Sequence, residues 1–199
     1  MLNECGGDRI VDIGSGSGRP MQLVLTELAK LGLRPQVTLT DLYPSPEADS
    51  SPDYWPEPVC ATNVPPVLRG VRTLFACFHH FNPPMARAVF RDAFAQRQPI
   101  CIFEATSRTP PAIAAAFAIP FFVLLPAPRV RPLSSSQIGL TYLVPIMPLL
   151  ALWDGLVSRL RTYSIVELQA LTRDCAEVSA GALQHFLSAW FAALGEKLA

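Results

Sequence analysis

The chain has 199 residues, which is enough for one α/β domain with an ordinary core and short for two. Half of the residues are apolar and only 16% are charged, so a globally disordered chain is excluded. The formal net charge is zero, and no run of lysines or arginines occurs. Because nucleic-acid binding relies on clustered positive charge, we expect no nucleic-acid partner.

The cysteines and the N-terminus bear on the compartment. The five cysteines are an odd number, and none of them forms a CxxC pair. We therefore expect neither a disulfide framework nor a metal site. Residues 1–8 are polar and contain no apolar signal-peptide core. These features predict a cytoplasmic protein.

The first half of the chain alternates strand-like and helix-like segments. Apolar or β-branched runs predict short strands, and apolar residues at helical spacing predict helices. The predicted strands are residues 9–14, 36–40, 59–64 (a weak one), 71–81 and 99–105, and the predicted helices are residues 21–31 and 83–97. Gly32 is placed to end the first helix. This order predicts a Rossmann-like, doubly wound α/β fold, with a mostly parallel sheet and helices on both faces.

The second half of the chain, beyond Thr109, has a different character. Residues 110–128 and 132–153 contain no charged side chain, although prolines interrupt both stretches. A helix that crosses a bilayer needs about 20 apolar residues, which leaves three interpretations open: a buried helix with a lid, an interfacial or re-entrant membrane patch, and a hairpin through the bilayer. Residues 180–198 place large apolar side chains on one face of a predicted helix.

These patterns predict two regions within one domain. Residues 1–108 form the Rossmann-like core, and residues 109–199 form a helical, apolar region that packs on it as a substrate lid or as a membrane-facing surface. Peripheral membrane contact through residues 110–153 is therefore an alternative to a purely cytoplasmic location.

The most informative string is Asp12-Ile13-Gly14-Ser15-Gly16-Ser17-Gly18. A loop between a strand and a helix must turn sharply, and glycine removes the Cβ that would keep a ligand away from the backbone. The helix that follows directs unpaired N–H groups and a partial positive charge toward the loop. Asp41 ends the next strand, so its carboxylate is expected beside the same crevice, where it could accept the hydroxyl protons of a ribose.

The spacing of the glycines separates two classes of cofactor. Dinucleotide enzymes carry G-x-G-x-x-G, whereas Arg19 stands here at the position of the third glycine. The spacing G-x-G-x-G with an upstream acid resembles motif I of the class I S-adenosylmethionine-dependent methyltransferases. Thr40-Asp41-Leu42-Tyr43 resembles the second motif of that family. A dinucleotide site and a glycine turn that binds nothing remain as alternatives.

The resemblance covers about residues 9–108 and implies roles for individual positions. Asp12 and the loop residues Gly14, Ser15, Gly16 and Gly18 would lie near the methionine part of S-adenosylmethionine. The resemblance also implies that Asp41 holds the ribose and that Leu42, Ala61 and Thr62 contact the adenine, although Cys60 replaces the acid that often precedes that last pair.

Three further residues are candidates for catalysis. Residues 75–81 resemble the fourth motif of the family and end in His79 and His80, and histidine is the usual proton acceptor near neutral pH. Glu104 ends an apolar strand, where a carboxylate needs a partner or a ligand, and Arg108 is close enough in sequence to pair with it. The alternative for all three is a structural role.

The segment from Trp153 to Ser164 mixes apolar, acidic, arginine and aromatic side chains. Asp154, Arg161 and Tyr163 are candidate substrate contacts. Ser164 and Glu167 fit a capping box for a helix that begins at residue 165.

Two departures from the family accompany this resemblance. Only eight residues precede the first strand, and the antiparallel strand pair that usually ends the fold is not recognisable. The sequence therefore predicts an S-adenosylmethionine-dependent methyltransferase that acts on a small hydrophobic or lipid-like acceptor, with either an unusual terminal architecture or a form that is truncated at both ends. The alternative is a non-catalytic methyltransferase-like module that binds a partner or a membrane surface.

Overall fold

The computed structural model describes residues 8–44, 53–129 and 134–173. Four short strands form one parallel sheet in the order β2-β1-β3-β4. The strands are β1 (Arg9–Ile13), β2 (Gln36–Thr40), β3 (Val71–Phe75) and β4 (Ile100–Phe103). Strand β1 lies between β2 and β3. The chain therefore passes from β1 to β2 on one side of β1, and later crosses over to form β3 on the other side of β1. The point where the direction reverses lies between β1 and β3.

Two helices cover the opposite faces of this sheet. Helix α1 (Arg19–Lys30) packs on the face that carries Ile10 and Leu39. Helix α2 (Pro83–Ala95) packs on the other face, against Val11 and Leu74. Alternate side chains of a strand point to opposite faces, so β1 contributes to both cores. The predicted Rossmann-like α/β fold with helices on both faces is confirmed.

Local sequence signals explain the limits of these helices. Pro20 lies in the first turn of α1, where its missing N–H costs no hydrogen bond, and Gly32 follows the helix with a φ of +76°. Asn82 caps α2 because its side chain accepts a hydrogen bond from the backbone N–H of Met85 at 3.0 Å. Both helices therefore begin and end close to the predicted positions.

The helical region follows β4. It comprises α3 (Pro110–Ala116), α4 (Ile119–Leu124), α5 (Ser135–Ile138) with a π-helical turn at Gly139–Leu143, α6 (Ile146–Arg161) and α7 (Ile165–Thr172). The helices α3 and α4 pack on α6, whereas α7 packs on α2 and adds Leu171 to the core of the sheet. The predicted capping box of Ser164 and Glu167 begins α7. None of the described helices is both long and apolar enough to span a bilayer, although two bent helix pairs meet that test together.

Two predicted strands differ from the observed structure. The weak strand expected at residues 59–64 is wrong, because Cys60 and Asn63 close a tight turn there and two prolines follow. Tyr54 instead forms an isolated parallel bridge to Leu39 at the outer edge of β2. The strand expected at residues 71–81 ends at Phe75, since Ala76 has a φ of +50° and Phe78–His80 form a 3₁₀ turn. The helix predicted at residues 180–198 lies outside the described residues.

Candidate functional site

The glycine loop joins β1 to α1 at the point where the strand order reverses. Gly14, Gly16 and Gly18 have φ angles of +70°, +52° and +71°. Side chains with a Cβ adopt this left-handed conformation only at a cost of roughly 1–2 kcal/mol per residue. The three alternating glycines are therefore required by the backbone of the loop itself, whether or not a ligand binds.

Only one of these glycines borders open space. A Cβ at Gly18 would lie 2.8 Å from Leu39 Cδ1, and a Cβ at Gly14 would lie 3.3 Å from the Cys77 sulfur. A Cβ at Gly16 would meet no heavy atom within 4 Å. Side chains of the protein thus pack closely against Gly14 and Gly18, whereas the backbone of Gly16 is accessible to another molecule.

Asp41 lies directly beside Gly16, as the sequence predicted. Its Oδ2 accepts a hydrogen bond from the Gly16 N–H at 2.9 Å, and its Oδ1 accepts one from the Tyr43 N–H at 2.9 Å. A carboxylate offers about four acceptor positions, so the described residues leave one position free on each oxygen. The geometry allows Asp41 to hold the loop and still accept two hydroxyl protons from a ligand.

The N–H groups of the loop are directed mainly at the protein. The Ser15 N–H donates to the Thr40 carbonyl at 2.9 Å, and the Gly18 N–H donates to the Ser15 carbonyl at 2.8 Å. Together with the Gly16 N–H on Asp41, three amides of the loop are engaged. A pyrophosphate site depends on such amides being free to bind the anion, so this arrangement disfavours a dinucleotide.

Asp12 supports the loop from inside the sheet. It is buried, and its Oδ1 accepts a hydrogen bond from the Thr73 hydroxyl at 2.7 Å. Its carbonyl accepts from the hydroxyls of Ser15 and Thr40 at 2.9 and 2.8 Å. Burial raises the pKa of the Asp12 carboxyl above its ordinary 3.8, partly offset by hydrogen bonds from the Thr73 and Ser15 hydroxyls. The described contacts of Asp12 are thus with the neighbouring strands and with the loop.

The three predicted adenine contacts are buried to different extents. Leu42 is exposed, whereas Ala61 is buried in the core beneath α2. Thr62 is partly buried, and its hydroxyl lies 3.1 Å from the Cys60 sulfur. The backbone N–H of Val59 donates to the Asp41 carbonyl at 2.8 Å, which brings this segment next to the loop.

Tyr54 is a site residue that the sequence analysis missed. Its hydroxyl donates to the Gly16 carbonyl at 3.3 Å. Burial, followed by the carboxylates of Asp41 and Asp12, raises the pKa of the Tyr54 phenol, which therefore stays protonated as the donor. Tyr54 follows a proline-rich stretch of sequence, and no local pattern indicates the bridge to β2 that brings it here.

His79 and Glu104 form a close pair at the ends of β3 and β4. His79 Nδ1 lies 2.8 Å from Glu104 Oε2, and the His79 backbone N–H donates to Glu104 Oε1 at 3.0 Å. Both side chains are largely buried. The pairing of Glu104 with Arg108 that the sequence suggested is wrong, because Arg108 forms its ion pair with Glu167.

This pair has the geometry of an oriented imidazole. A carboxylate on Nδ1 fixes that nitrogen as the proton donor and leaves Nε2 as the acceptor. Among the described residues, no hydrogen bond reaches Nε2 of His79. His79 therefore has Nε2 as its acceptor nitrogen, and Glu104 is placed to stabilise a positive charge on the ring.

His80 is exposed and lies against its neighbour. The two imidazole rings are 4.3 Å apart between centroids. Burial lowers the pKa of His80, with further contributions from His79 and Arg161. His80 is thus neutral at physiological pH, and its ring forms one side of the His79 environment.

Cys77 occupies the floor of the crevice between the two strand ends. Its sulfur lies 3.7 Å from the Ile13 carbonyl. Burial, followed by the carboxylates of Glu104, Asp12 and Asp41, raises the pKa of this thiol from 9.0 to about 12. Three carboxylates thus lie close enough to Cys77 to disfavour a thiolate there.

Two of the predicted substrate contacts have a different role. Arg161 donates to the His80 carbonyl at 2.8 Å, and the Tyr163 hydroxyl donates to the Phe81 carbonyl at 2.8 Å. These bonds attach the end of α6 to the turn that holds His79. Asp154 lies one to two turns earlier in α6, close enough to His80 to act on its pKa.

Two cavities lie away from the glycine loop. One of about 560 Å³ follows the outer edge of β2, with Val37 and Tyr54 in its wall. The other, of about 480 Å³, is lined mainly by apolar side chains between α4 and α6, including Val123, Tyr142 and Met147. Neither of these two cavities is lined by a residue of the loop.

Comparison with known proteins adds little to this geometry. No protein-family model matches the chain, and no curated protein matches it. A solved structure with some similarity is that of the citrinin polyketide synthase CMeT domain, with a TM-score of 0.39 and 20% identity. The similarity covers 49% of this chain and 29% of that one. Similarity at this level is too low to assign a function.

Proposed function

We propose that this protein is an S-adenosylmethionine-dependent methyltransferase. The observation that carries the proposal is the accessible backbone of Gly16 beside the Asp41 carboxylate, at the reversal point of a parallel sheet. Ligands of open α/β sheets bind at this point, outside the carboxyl ends of the strands. Asp41 retains acceptor positions for the two ribose hydroxyls, and Gly16 lets the rest of an adenosyl group approach the backbone.

The charge of the crevice supports a cationic cofactor. Asp12, Asp41 and Glu104 all act on the Cys77 thiol, so three carboxylates lie around one point of the crevice. A negative field favours a sulfonium cation and opposes the pyrophosphate of a dinucleotide. When bound, S-adenosylmethionine supplies an activated methyl group, so the protein has mainly to position the acceptor and exclude water.

His79 serves as the base in this proposal. Its Nδ1 is bonded to Glu104, and its Nε2 takes the proton of an acceptor that must be deprotonated. The turn that carries His79 is attached to the apolar helical region through Arg161 and Tyr163. We therefore propose a small hydrophobic acceptor, bound between the His79 turn and this region.

Calorimetric titration with S-adenosylhomocysteine tests the cofactor class. We expect micromolar binding to the parent protein and a loss of about tenfold or more in Asp41→Asn, because hydrogen bonds to a charged group contribute about 1.5–3 kcal/mol each. Asp53→Asn is the matched control, since Asp53 is an exposed acid near the same edge that bonds β2 through its backbone carbonyl. Binding of NAD or NADP in place of S-adenosylhomocysteine would refute the proposal.

A panel of hydrophobic phenols, thiols and amines tests the acceptor class. Release of S-adenosylhomocysteine with one of these acceptors supports methyl transfer. Tight cofactor binding without turnover on any acceptor favours the non-catalytic module instead.

A further inference from the structure

The helical region exposes an unusual number of large apolar side chains. They lie on α4 and α6 and on the turns that adjoin them, and these two helices pack against each other. Six of the most exposed are Phe121 (63%), Phe122 (73%), Leu125 (69%), Leu143 (84%), Leu149 (58%) and Trp153 (69%). Single exposed apolar residues are common on soluble proteins, but a concentration of them marks a binding surface. We call the exposed face of α3, α4 and α6, together with the turns that adjoin them, the apolar surface.

The helices that form the apolar surface belong to two pairs, and each pair is bent at the break between its helices. The pair Pro110–Ala116 and Ile119–Arg129 meets at 41°, and the pair Ser135–Leu143 and Ile146–Arg161 meets at 68°. Each pair has the length and composition of a membrane segment only when its two parts are taken together. Short helices joined at such angles fit the plane of a bilayer interface better than a path straight through it.

Exposed arginines lie at the ends of the bent helix pairs. Residues 105–166 contain five arginines and one acid, Asp154, although Arg108 is neutralised by its ion pair with Glu167. Arg129 is exposed at the end of the first bent pair, and Arg161 lies at the end of the second. Arginines beside an apolar surface are typical of helices that bind anionic lipid headgroups.

We propose that the apolar surface binds the interface of an anionic lipid bilayer. The exposed aromatic and aliphatic side chains enter the headgroup region, and the flanking arginines contact the phosphates. The exposed arginines Arg129 and Arg161 favour this partner over a second copy of the chain, because self-association through this surface would bring like charges together. The proposal is independent of methyl transfer.

Flotation of the full chain with vesicles tests the apolar part of this proposal. We expect binding to vesicles of phosphatidylcholine and phosphatidylglycerol, and binding at least about tenfold weaker for Phe122→Glu. Leu23→Glu is the matched control, because Leu23 is 71% exposed on α1, outside the apolar surface. An equal loss in the two variants, or no binding of the parent protein, would overturn the proposal. A dimer in light scattering together with no vesicle binding would assign the surface to a second copy.

Arg129→Gln tests the electrostatic part. We expect about fivefold weaker binding to the anionic vesicles at low salt and unchanged binding to vesicles of phosphatidylcholine alone. Arg34→Gln is the control, since Arg34 is an exposed arginine between α1 and β2. Circular dichroism of each variant verifies that it is folded. Equal affinity of the parent protein for neutral and anionic vesicles would refute the role of the arginines.

Discussion

A comparison of Gly16→Ala with Gly32→Ala distinguishes a glycine that cofactor binding requires from one that only the backbone conformation requires. At a φ of +52°, the new Cβ meets no heavy atom within 4 Å, so the variant loses only the backbone preference of roughly 1–2 kcal/mol. Gly32→Ala makes the same change at a φ of +76°, again with open space around it, but at the end of α1. Each variant should melt about 2–8 °C below the parent protein, given about 2–4 °C per kcal/mol for a chain of this length.

Binding of S-adenosylhomocysteine should distinguish the two variants. The methyl group at residue 16 enters the space that we assign to the cofactor, and crowding of this kind costs typically 1–3 kcal/mol, which is about 5- to 150-fold in affinity. Gly32→Ala should bind as tightly as the parent protein in calorimetric titration. If Gly16→Ala also binds with unchanged affinity, the cofactor does not approach the loop at this point and the reasoning is wrong.

Three further experiments test the surroundings of the loop. Glu104→Gln removes the charge and leaves one acceptor oxygen for the two N–H donors of His79, so we expect kcat to fall roughly 10²-fold at unchanged S-adenosylhomocysteine affinity; a parallel loss of affinity would instead indicate a structural role. With a pKa of about 12 in place of 9.0, Cys77 should react with iodoacetamide roughly 10³-fold more slowly in the native chain than in the urea-denatured chain, as followed by peptide mass, and similar rates would contradict its burial. Because folding raises the pKa of Asp12, the native state binds this proton more tightly, and the contribution of Asp12 to stability falls as the pH rises above 3.8. The melting temperature of Asp12→Asn relative to the parent protein should therefore increase between about pH 3 and neutrality, and a constant difference would exclude this linkage.

The glycine loop was predictable because its requirements are local. A strand, three alternating glycines and a helix specify one kind of turn, and the carboxyl end of the neighbouring strand must lie beside it. Asp41 could thus be placed next to Gly16 from the sequence alone, and the structure joins them by a hydrogen bond.

The partner of Glu104 was not predictable from sequence proximity. Arg108 is only four residues away, but the chain turns toward α3 after β4 and carries Arg108 to Glu167. The register of the sheet pairs Phe75 with Phe103, so the residues that follow these two strands become neighbours. Applying the rule of shared strand ends to β3 and β4 would have indicated the contact of Glu104 with the His79 turn.

Strand limits and the position of Tyr54 depend on tertiary contacts. The apolar run from Val71 continues to Phe81, yet β4 ends at Phe103 and leaves the later residues without a neighbouring strand to pair with. Phe78 then turns into the core beside Phe90, at 5.4 Å between ring centroids, instead of alternating between two faces. Tyr54 lies at the edge of β2 because the segment from Asp53 forms hydrogen bonds with Leu39, and predicting this contact requires the path of that whole segment. Pattern alone carries none of this information.

The distribution of charge connects the two proposals. Three carboxylates act on the Cys77 thiol at the end of the sheet, whereas the exposed Arg129 and Arg161 lie at the ends of the helix pairs of the apolar surface. A cationic cofactor is attracted to the first region and an anionic membrane to the second, and each charge repels the partner of the other. The bonds from Arg161 and Tyr163 to the His79 turn hold the two regions together. The proposed base and the proposed membrane-binding surface are therefore joined through the end of α6.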